Sequence, residues 1–146
     1  RDGRVFVVEH EEDRDHSSLW LAGRDGVKQK RLTGAGDTWY FLPSLSADGA
    51  RVVMGVANRA PPDPPGRDAN PAYLRNNLAV IELATGTTTP VRNVSPHARI
   101  DGVCWSPDGR HLAYVWRDLD PDNPATPVRG TLYYVTVCEP DGANPR

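Results

Sequence analysis

The sequence predicts an all-β fold made of repeated units of four short antiparallel strands, and three observations lead to this prediction. Three Asp-Gly turns each precede an apolar strand, a second apolar segment follows each strand, and a glycine turn ends each second segment. The chain sustains no helical periodicity of about 3.6 residues. Four-stranded units that recur every 40–50 residues or so, with loop insertions, are typical of β-propeller blades.

The Asp-Gly turns introduce strand B of each unit. They lie 46 and 60 residues apart, at Asp2-Gly3, Asp48-Gly49 and Asp108-Gly109. An aspartate side chain accepts hydrogen bonds from its own turn, and glycine readily adopts a positive φ. Asp-Gly beside alternating apolar residues is a strong signal for a β-hairpin. Each turn therefore predicts a strand B that runs antiparallel to the strand before it.

The other three strands of a unit follow from their position relative to strand B. Strand C is predicted at residues 19–22, 78–83 and 132–137, and the turns that end it contain Gly26, Gly86 and Gly142. Strand D is a short polar segment that ends at residues 31–33 and 91–94. Strand A is an apolar run before the turn, at residues 40–45 and 100–105.

These strands divide the chain into three units. Residues 1–33 form a partial blade with strands B, C and D, residues 34–94 a complete blade with a long B–C insertion at 58–76, and residues 95–146 a blade lacking most of its last strand. The prediction is a partial propeller of about two and a half blades. Because closed propellers have at least about four blades, we expect a segment of a larger propeller, or a subunit that assembles with further blades or another copy of itself.

The third unit resembles a known family. Residues 105–114 read Trp-Ser-Pro-Asp-Gly-Arg-His-Leu-Ala-Tyr, which is similar to the core motif of TolB-like, WD-repeat-like propeller blades, and Lys30 to Thr33 resemble the end of the preceding blade. The second unit departs from the motif at Leu45 and Ala47. Similar blades occur in the propeller of prolyl oligopeptidase and dipeptidyl peptidase IV relatives. The resemblance implies a bacterial, periplasmic or extracytoplasmic scaffold, whereas the sequence itself does not determine the compartment.

The repeat also predicts which side chains pack between blades. Leu45 and Trp105 end strand A, and we expect both to be large anchors between neighbouring blades. Equivalent strand-B residues are expected to face one side at Phe6, Val52 and Leu112, and the other side at Val7, Val53 and Ala113.

Composition and motifs exclude several classes of function. A net charge of -2 argues against nucleic-acid binding by bulk charge, and no run of 18 apolar residues predicts membrane insertion. G-x-S-x-G and H-E-x-x-H are absent, and the two cysteines lack metal-ligand spacing. The alternating aspartates Asp118, Asp120 and Asp122 resemble the opening of a calcium loop, but its glycine and distal glutamate are missing. The sequence therefore predicts no catalytic residue, no metal and no cofactor.

In all three units the extra length lies between strands B and C, where loop variation on a repeated scaffold is typical of recognition. The predicted partner-binding residues in these insertions are Glu11, Glu12, Asp13, Asp15, Arg67, Tyr73, Asp118, Asp120 and Asp122. The competing interpretation is a solvated acidic surface. Three functions stay open: a scaffold that binds a protein or peptide, the gating propeller of a prolyl-oligopeptidase-type serine peptidase whose catalytic domain lies outside this chain, and a sensor propeller fused to a signalling domain.

Overall fold

The computed structural model describes residues 5–10, 17–33, 38–58, 75–95, 98–118 and 132–146, and in this part of the chain every regular element is a strand. The described strands are β1 (Val5–His10), β2 (Ser17–Ala22), β3 (Lys28–Arg31), β4 (Thr38–Leu45), β5 (Arg51–Asn58), β6 (Arg75–Glu82), β7 (Thr88–Pro90), β8 (Ala98–Trp105), β9 (Leu112–Asp118) and β10 (Tyr134–Cys138).

The strands form three antiparallel sheets, each in chain order. The first sheet is β1-β2-β3, the second is β4-β5-β6-β7, and the third is β8-β9-β10. The second sheet thus has strands A to D, the first has strands B to D, and the third has strands A to C. This confirms the predicted fold class, an all-β partial propeller of four-stranded antiparallel blades. The exact boundaries of the three units stay a prediction.

The turns before β5 and β9 share one hydrogen-bond network, which explains why Ser-x-Asp-Gly recurs. The Ser106 hydroxyl donates to Asp108 Oδ1 (2.5 Å) and accepts from the His111 amide (2.9 Å). Asp108 Oδ1 also accepts from the Arg110 amide, and Gly109 has a φ of 69°. The turn from Ser46 to Arg51 repeats these bonds. The side chains thus hold the hairpin through bonds that lie within the turn itself.

We expect this turn to give the chain an acid-sensitive stability. Two hydrogen bonds lower the pKa of Asp108 from its usual value: the larger effect comes from the Ser106 hydroxyl and the next from the Arg110 amide. A lowered folded-state pKa stabilises the fold above the unfolded pKa of about 3.9, and this contribution is lost as the pH falls through the folded value. Asp108→Asn should therefore lower the free energy of unfolding at pH 6, and urea titrations should show its difference from the parent shrinking as the pH falls below about 4. A difference independent of pH would contradict this assignment.

Two buried clusters lie between neighbouring sheets, as the facing of the strands predicts. Between the first and second sheets the cluster comprises Leu19, Leu21, Leu32, Val52, Met54, Ala79, Ile81 and Leu83. Between the second and third sheets it comprises Val53, Leu78, Val80, Val91, Ala98, Ile100, Trp105, Leu112, Tyr114 and Cys138. The second sheet, which lies between the other two, therefore buries both of its faces.

Trp105 is the anchor of the second of these interfaces, as predicted. Its side chain is 8% exposed, and its indole Nε1 donates to the Ser44 carbonyl oxygen across the interface (3.0 Å). The Arg51 guanidinium lies over the indole, 4.5 Å from the ring centroid, and donates to the Gly109 carbonyl oxygen (3.0 Å). Through Trp105 and Arg51, the two sheets thus each donate a side-chain hydrogen bond to a backbone carbonyl of the other.

The prediction that Leu45 is an equivalent anchor is wrong. Leu45 pairs with Val52 as Trp105 pairs with Leu112, yet its side chain is 40% exposed. Trp105 packs against strand A of the preceding sheet through Ser44. In the described residues the first sheet has no strand A, so Leu45 lacks this neighbouring strand, and leucine has no donor with which to reach a carbonyl oxygen.

The predicted equivalence of Phe6 with Val52 and Leu112 is wrong by one residue. The backbone register pairs Val5 with Ala22, the last residue of β2. Leu112 likewise pairs with Cys138, the last residue of β10. The turns that follow β2 and β10 have the same length. Val5 therefore occupies the position equivalent to Leu112, where the repeat predicts Phe6.

Candidate functional site

All three B–C insertions leave from one end of the stacked sheets. The pairs next to the insertions are His10 with Ser17 and Asn58 with Arg75, and β9 ends at Asp118. Ser17 also joins the first two sheets at this end, since its hydroxyl donates to the Tyr40 carbonyl oxygen (3.1 Å) and accepts from the Tyr40 amide (2.7 Å). We call this end of the sheets the loop end.

Almost all of the predicted partner-binding residues lie outside the described part of the chain. These are Glu11, Glu12, Asp13, Asp15, Arg67, Tyr73, Asp120 and Asp122. Asp118 is the last residue of β9, where its backbone pairs with Ala98. Their role in binding stays a prediction.

A cluster of charged side chains, which sequence reasoning did not identify, lies near the loop end of the third sheet. Asp101 Oδ2 lies 3.0 Å from Arg117 Nε, and Asp101 Oδ1 lies 3.4 Å from Arg99 Nε. The Arg117 guanidinium lies over the Tyr133 ring, 5.5 Å from its centroid. We call Arg99, Asp101, Arg117 and Tyr133 the arginine cluster. It holds two cations against one carboxylate, and guanidinium groups of this kind are suited to bind a carboxylate.

A β-bulge places Asp101 in this cluster. Ile100 pairs with Trp116 and Gly102 with Val115, so Asp101 is an extra residue in β8. A bulge re-aims the side chain that it carries, and bulges are frequent next to functional sites. The sequence signal was the charged pair at Arg99 and Asp101 within an otherwise apolar strand A, but period-two alternation alone gives no sign of a bulge.

The other side of the third sheet supports the cluster from behind. Trp116 stacks on Tyr134 with ring centroids 4.7 Å apart. The Trp116 indole also donates to Thr136 Oγ1 (3.0 Å). These contacts tie β9 to β10, and since Arg117 follows Trp116 directly, they limit how far the arginine can move.

A second charged and aromatic group lies on the first sheet. Lys28 Nζ and the Arg31 guanidinium lie 5.2 Å and 5.7 Å from the Trp20 ring centroid. Lys28 also forms an ion pair with Glu9, and this hydrogen bond is the main cause that lowers the pKa of Glu9. Because Glu9 and Lys28 are over a third exposed, we assign this group a surface role.

Two observations on the described residues concern metal-ligating and nucleophilic side chains. No three histidine, cysteine or acidic side chains in this part of the chain come together as metal ligands would. Cys138 is buried, and burial raises the pKa of its thiol, which disfavours the nucleophilic thiolate. The described residues also contain no helix with the length and apolar character that crossing a bilayer demands.

Comparison with solved structures identifies the fold. A putative TolB from Agrobacterium tumefaciens matches 99% of this chain and 41% of its own, with 16% identity and a TM-score of 0.61. Porphyromonas gingivalis dipeptidyl peptidase 4 matches 97% of this chain and 23% of its own, with 13% identity and a TM-score of 0.62. A prolyl endopeptidase matches 95% of this chain and 19% of its own, with 19% identity and a TM-score of 0.53.

The chain spans less than half of each of these proteins. No protein-family model and no curated protein sequence matches it. At identities below 20% the likeness establishes the fold and leaves the function open. The chain therefore has the TolB-like β-propeller fold that its Trp-Ser-Pro-Asp-Gly motif predicts.

Proposed function

We propose that this chain is a non-catalytic propeller segment that binds a protein or peptide at its loop end. The observation that carries the proposal is that all three B–C insertions leave from this end, while the turns at the opposite end are short. Variable loops on a repeated scaffold are a common place for recognition. Placing the protein in the periplasm belongs to the same proposal and rests on the likeness to TolB.

The arginine cluster gives the loop end a described polar anchor. Arg99 is 41% exposed, so its guanidinium is open to a partner, and Arg117 is held by Asp101 and Tyr133. Arginine and tyrosine are among the residue types that most often dominate binding at protein interfaces. This favours a partner segment that offers a carboxylate.

A loop-exchange experiment tests the proposal. Peptides are selected from a displayed library on the immobilised chain, and their affinities are measured by titration calorimetry. In the test variant, Asn-Gly turns replace residues 11–16, 59–74 and 119–131, so that the described strands remain. We expect this exchange to weaken the selected peptides by at least about tenfold, which corresponds to about 1.4 kcal/mol.

The matched control changes the opposite end of the sheets. Thr85→Ala with Thr87→Ala removes an exposed hydroxyl pair from the turn after β6. This variant should bind the same peptides with unchanged affinity. Peptides that bind the loop-exchanged chain as well as the parent would place recognition elsewhere and overturn the proposal, provided that circular dichroism shows the same strand content.

The second candidate is the gating propeller of a serine peptidase. It is favoured by the structural likeness to a prolyl endopeptidase and to dipeptidyl peptidase 4. Sequencing the gene beyond Arg146 distinguishes the two functions. A G-x-S-x-G segment followed by an acidic residue and a histidine supports the peptidase, whereas further blades and then a stop codon support the scaffold.

A further inference from the structure

One face of the third sheet is open, although the equivalent face is buried in the sheets before it. Val135 and Val137 on this face are 65% and 39% exposed. Their counterparts in the second sheet, Leu78 and Val80, are 0% and 7% exposed, because the third sheet covers them. The open face thus has the apolar pattern of an interface between blades.

Backbone pairing establishes this correspondence. Val137 exchanges two backbone hydrogen bonds with Arg146 (3.1 and 2.9 Å), so a fourth strand begins beside β10. Val80 pairs with Thr89 in the second sheet in the same way. Arg146 is therefore the counterpart of Thr89. The residues of the open face can be matched one by one to those that the second sheet buries against the third.

A cavity of about 150 Å³ lies at the turn end of the open face. It is lined by His111, Val137, Glu139, Asn144 and Arg146. His111 holds the position of Arg51, because each follows an Asp-Gly turn and donates its amide to the serine hydroxyl. Val137 holds the position of Val80.

In the interface between the second and third sheets, the corresponding position is filled by an indole. Trp105 lies under Arg51 and in one buried cluster with Val80. Its acceptor is the carbonyl oxygen of Ser44. Cys104 is the counterpart of Ser44, since it pairs with Ala113 as Ser44 pairs with Val53.

We propose that this cavity is the receptor for a tryptophan side chain of a further blade, brought by a strand and turn like residues 100–114 of this chain. The indole would donate to the Cys104 carbonyl oxygen and stack against His111. A cavity of about 150 Å³ holds a benzene-sized ring, and this cavity is partly open to solvent, so the rest of the indole would lie at its mouth. The arginine cluster lies on the same face nearer the loop end, so a further blade and a peptide would share the face there, whereas the tryptophan receptor lies at the turn end and does not depend on peptide binding.

Arg146 adds a second contact for the incoming blade. Its counterpart in the first sheet is Lys30, which pairs with Leu21. Lys30 Nζ donates to the Leu83 carbonyl oxygen in the turn after β6 of the next sheet (2.9 Å). The Arg146 guanidinium is placed to donate to the equivalent turn.

The test extends the chain by one blade in register. A copy of residues 90–146 is joined directly after Arg146, which continues the fourth strand from the position equivalent to Thr89. The original part carries Val135→Cys and Cys104→Ser, and the copy carries Cys104→Ser. A thiol reagent then reports the exposure of position 135, while Cys138 is buried.

We expect the extension to slow modification at position 135 by at least about tenfold, because a covered thiol reacts only after local opening. In a matched extension the copied Trp105 is replaced by alanine, and most of this protection should be lost. Equal reactivity in the parent and in the extension with tryptophan, when circular dichroism shows the added strands folded, would overturn the proposal. So would concentration-dependent protection of the unextended chain, since a second copy would then cover the face.

A small-molecule probe covers the case in which the added blade does not fold. N-acetyl-tryptophanamide is titrated into the unextended chain, and amide chemical shifts are followed by NMR. Shifts at Val137 and Arg146 that exceed those caused by N-acetyl-leucinamide support the proposal. Equal effects of the two amides contradict it.

Discussion

Replacing Trp105 with alanine should lower the free energy of unfolding by about 3–5 kcal/mol, which is the usual cost of truncating a buried tryptophan. The indole fills the interface between the second and third sheets and donates to the Ser44 carbonyl oxygen. Its loss also removes the ring on which the Arg51 guanidinium lies. Urea unfolding followed by far-ultraviolet circular dichroism measures the change, since this signal does not depend on tryptophan fluorescence.

Leu45→Ala is the matched control, because Leu45 ends β4 as Trp105 ends β8. Its side chain is 40% exposed, so the same truncation should cost less than about 1 kcal/mol. Trp105→Phe separates the two contributions of the indole. It keeps an aromatic ring and should recover most of the loss, leaving about 0.5–1.5 kcal/mol for the hydrogen bond. Equal costs for Trp105→Ala and Leu45→Ala would show that the interface does not depend on its anchor.

The strands and sheets were predictable because their signals are local. The Ser-x-Asp-Gly turns form their own hydrogen-bond networks, and alternation along β5 is enough to assign Val52 and Val53 to opposite faces. Repetition then supplied the order of strands within a sheet. The chemistry that specifies these features lies within about ten residues of each turn, so the sequence displays it directly.

The exposure of Leu45 and the arginine cluster were not predictable in the same way. Leu45 is exposed because the first sheet has no strand A in the described residues, and alternation within β4 does not show whether this neighbouring strand is present. The cluster depends on a bulge that turns Asp101 toward Arg117, on a neighbouring strand. Such contacts require the relative position of two strands, which alternation within one strand does not encode. The predicted binding residues in the insertions stay predictions for a similar reason, because no repeat fixes their place.

Gly142→Ala should be the most damaging small substitution in the turns. Gly142 has a φ of 87°, and an added Cβ would lie 2.0 Å from the Arg92 carbonyl oxygen. The positive φ costs alanine about 1–2 kcal/mol. The overlap adds about 1–3 kcal/mol, because the obstacle is backbone that moves only if the sheets separate. Separation would also break the bonds from the Arg92 amide to the Asp141 carbonyl oxygen and from Asn93 Nδ2 to the Gly142 carbonyl oxygen.

Gly86→Ala isolates the conformational part of this cost. Gly86 has a φ of 77° in the equivalent turn of the second sheet, and nothing lies within 4 Å of an added Cβ. Its substitution should therefore cost only the positive-φ penalty of about 1–2 kcal/mol. Thermal and urea unfolding of the two variants measure the difference. If the two glycines prove equally tolerant, the second and third sheets do not pack as closely at Arg92 as the structure places them, whereas a larger loss at Gly142 identifies this turn as a close backbone contact between blades.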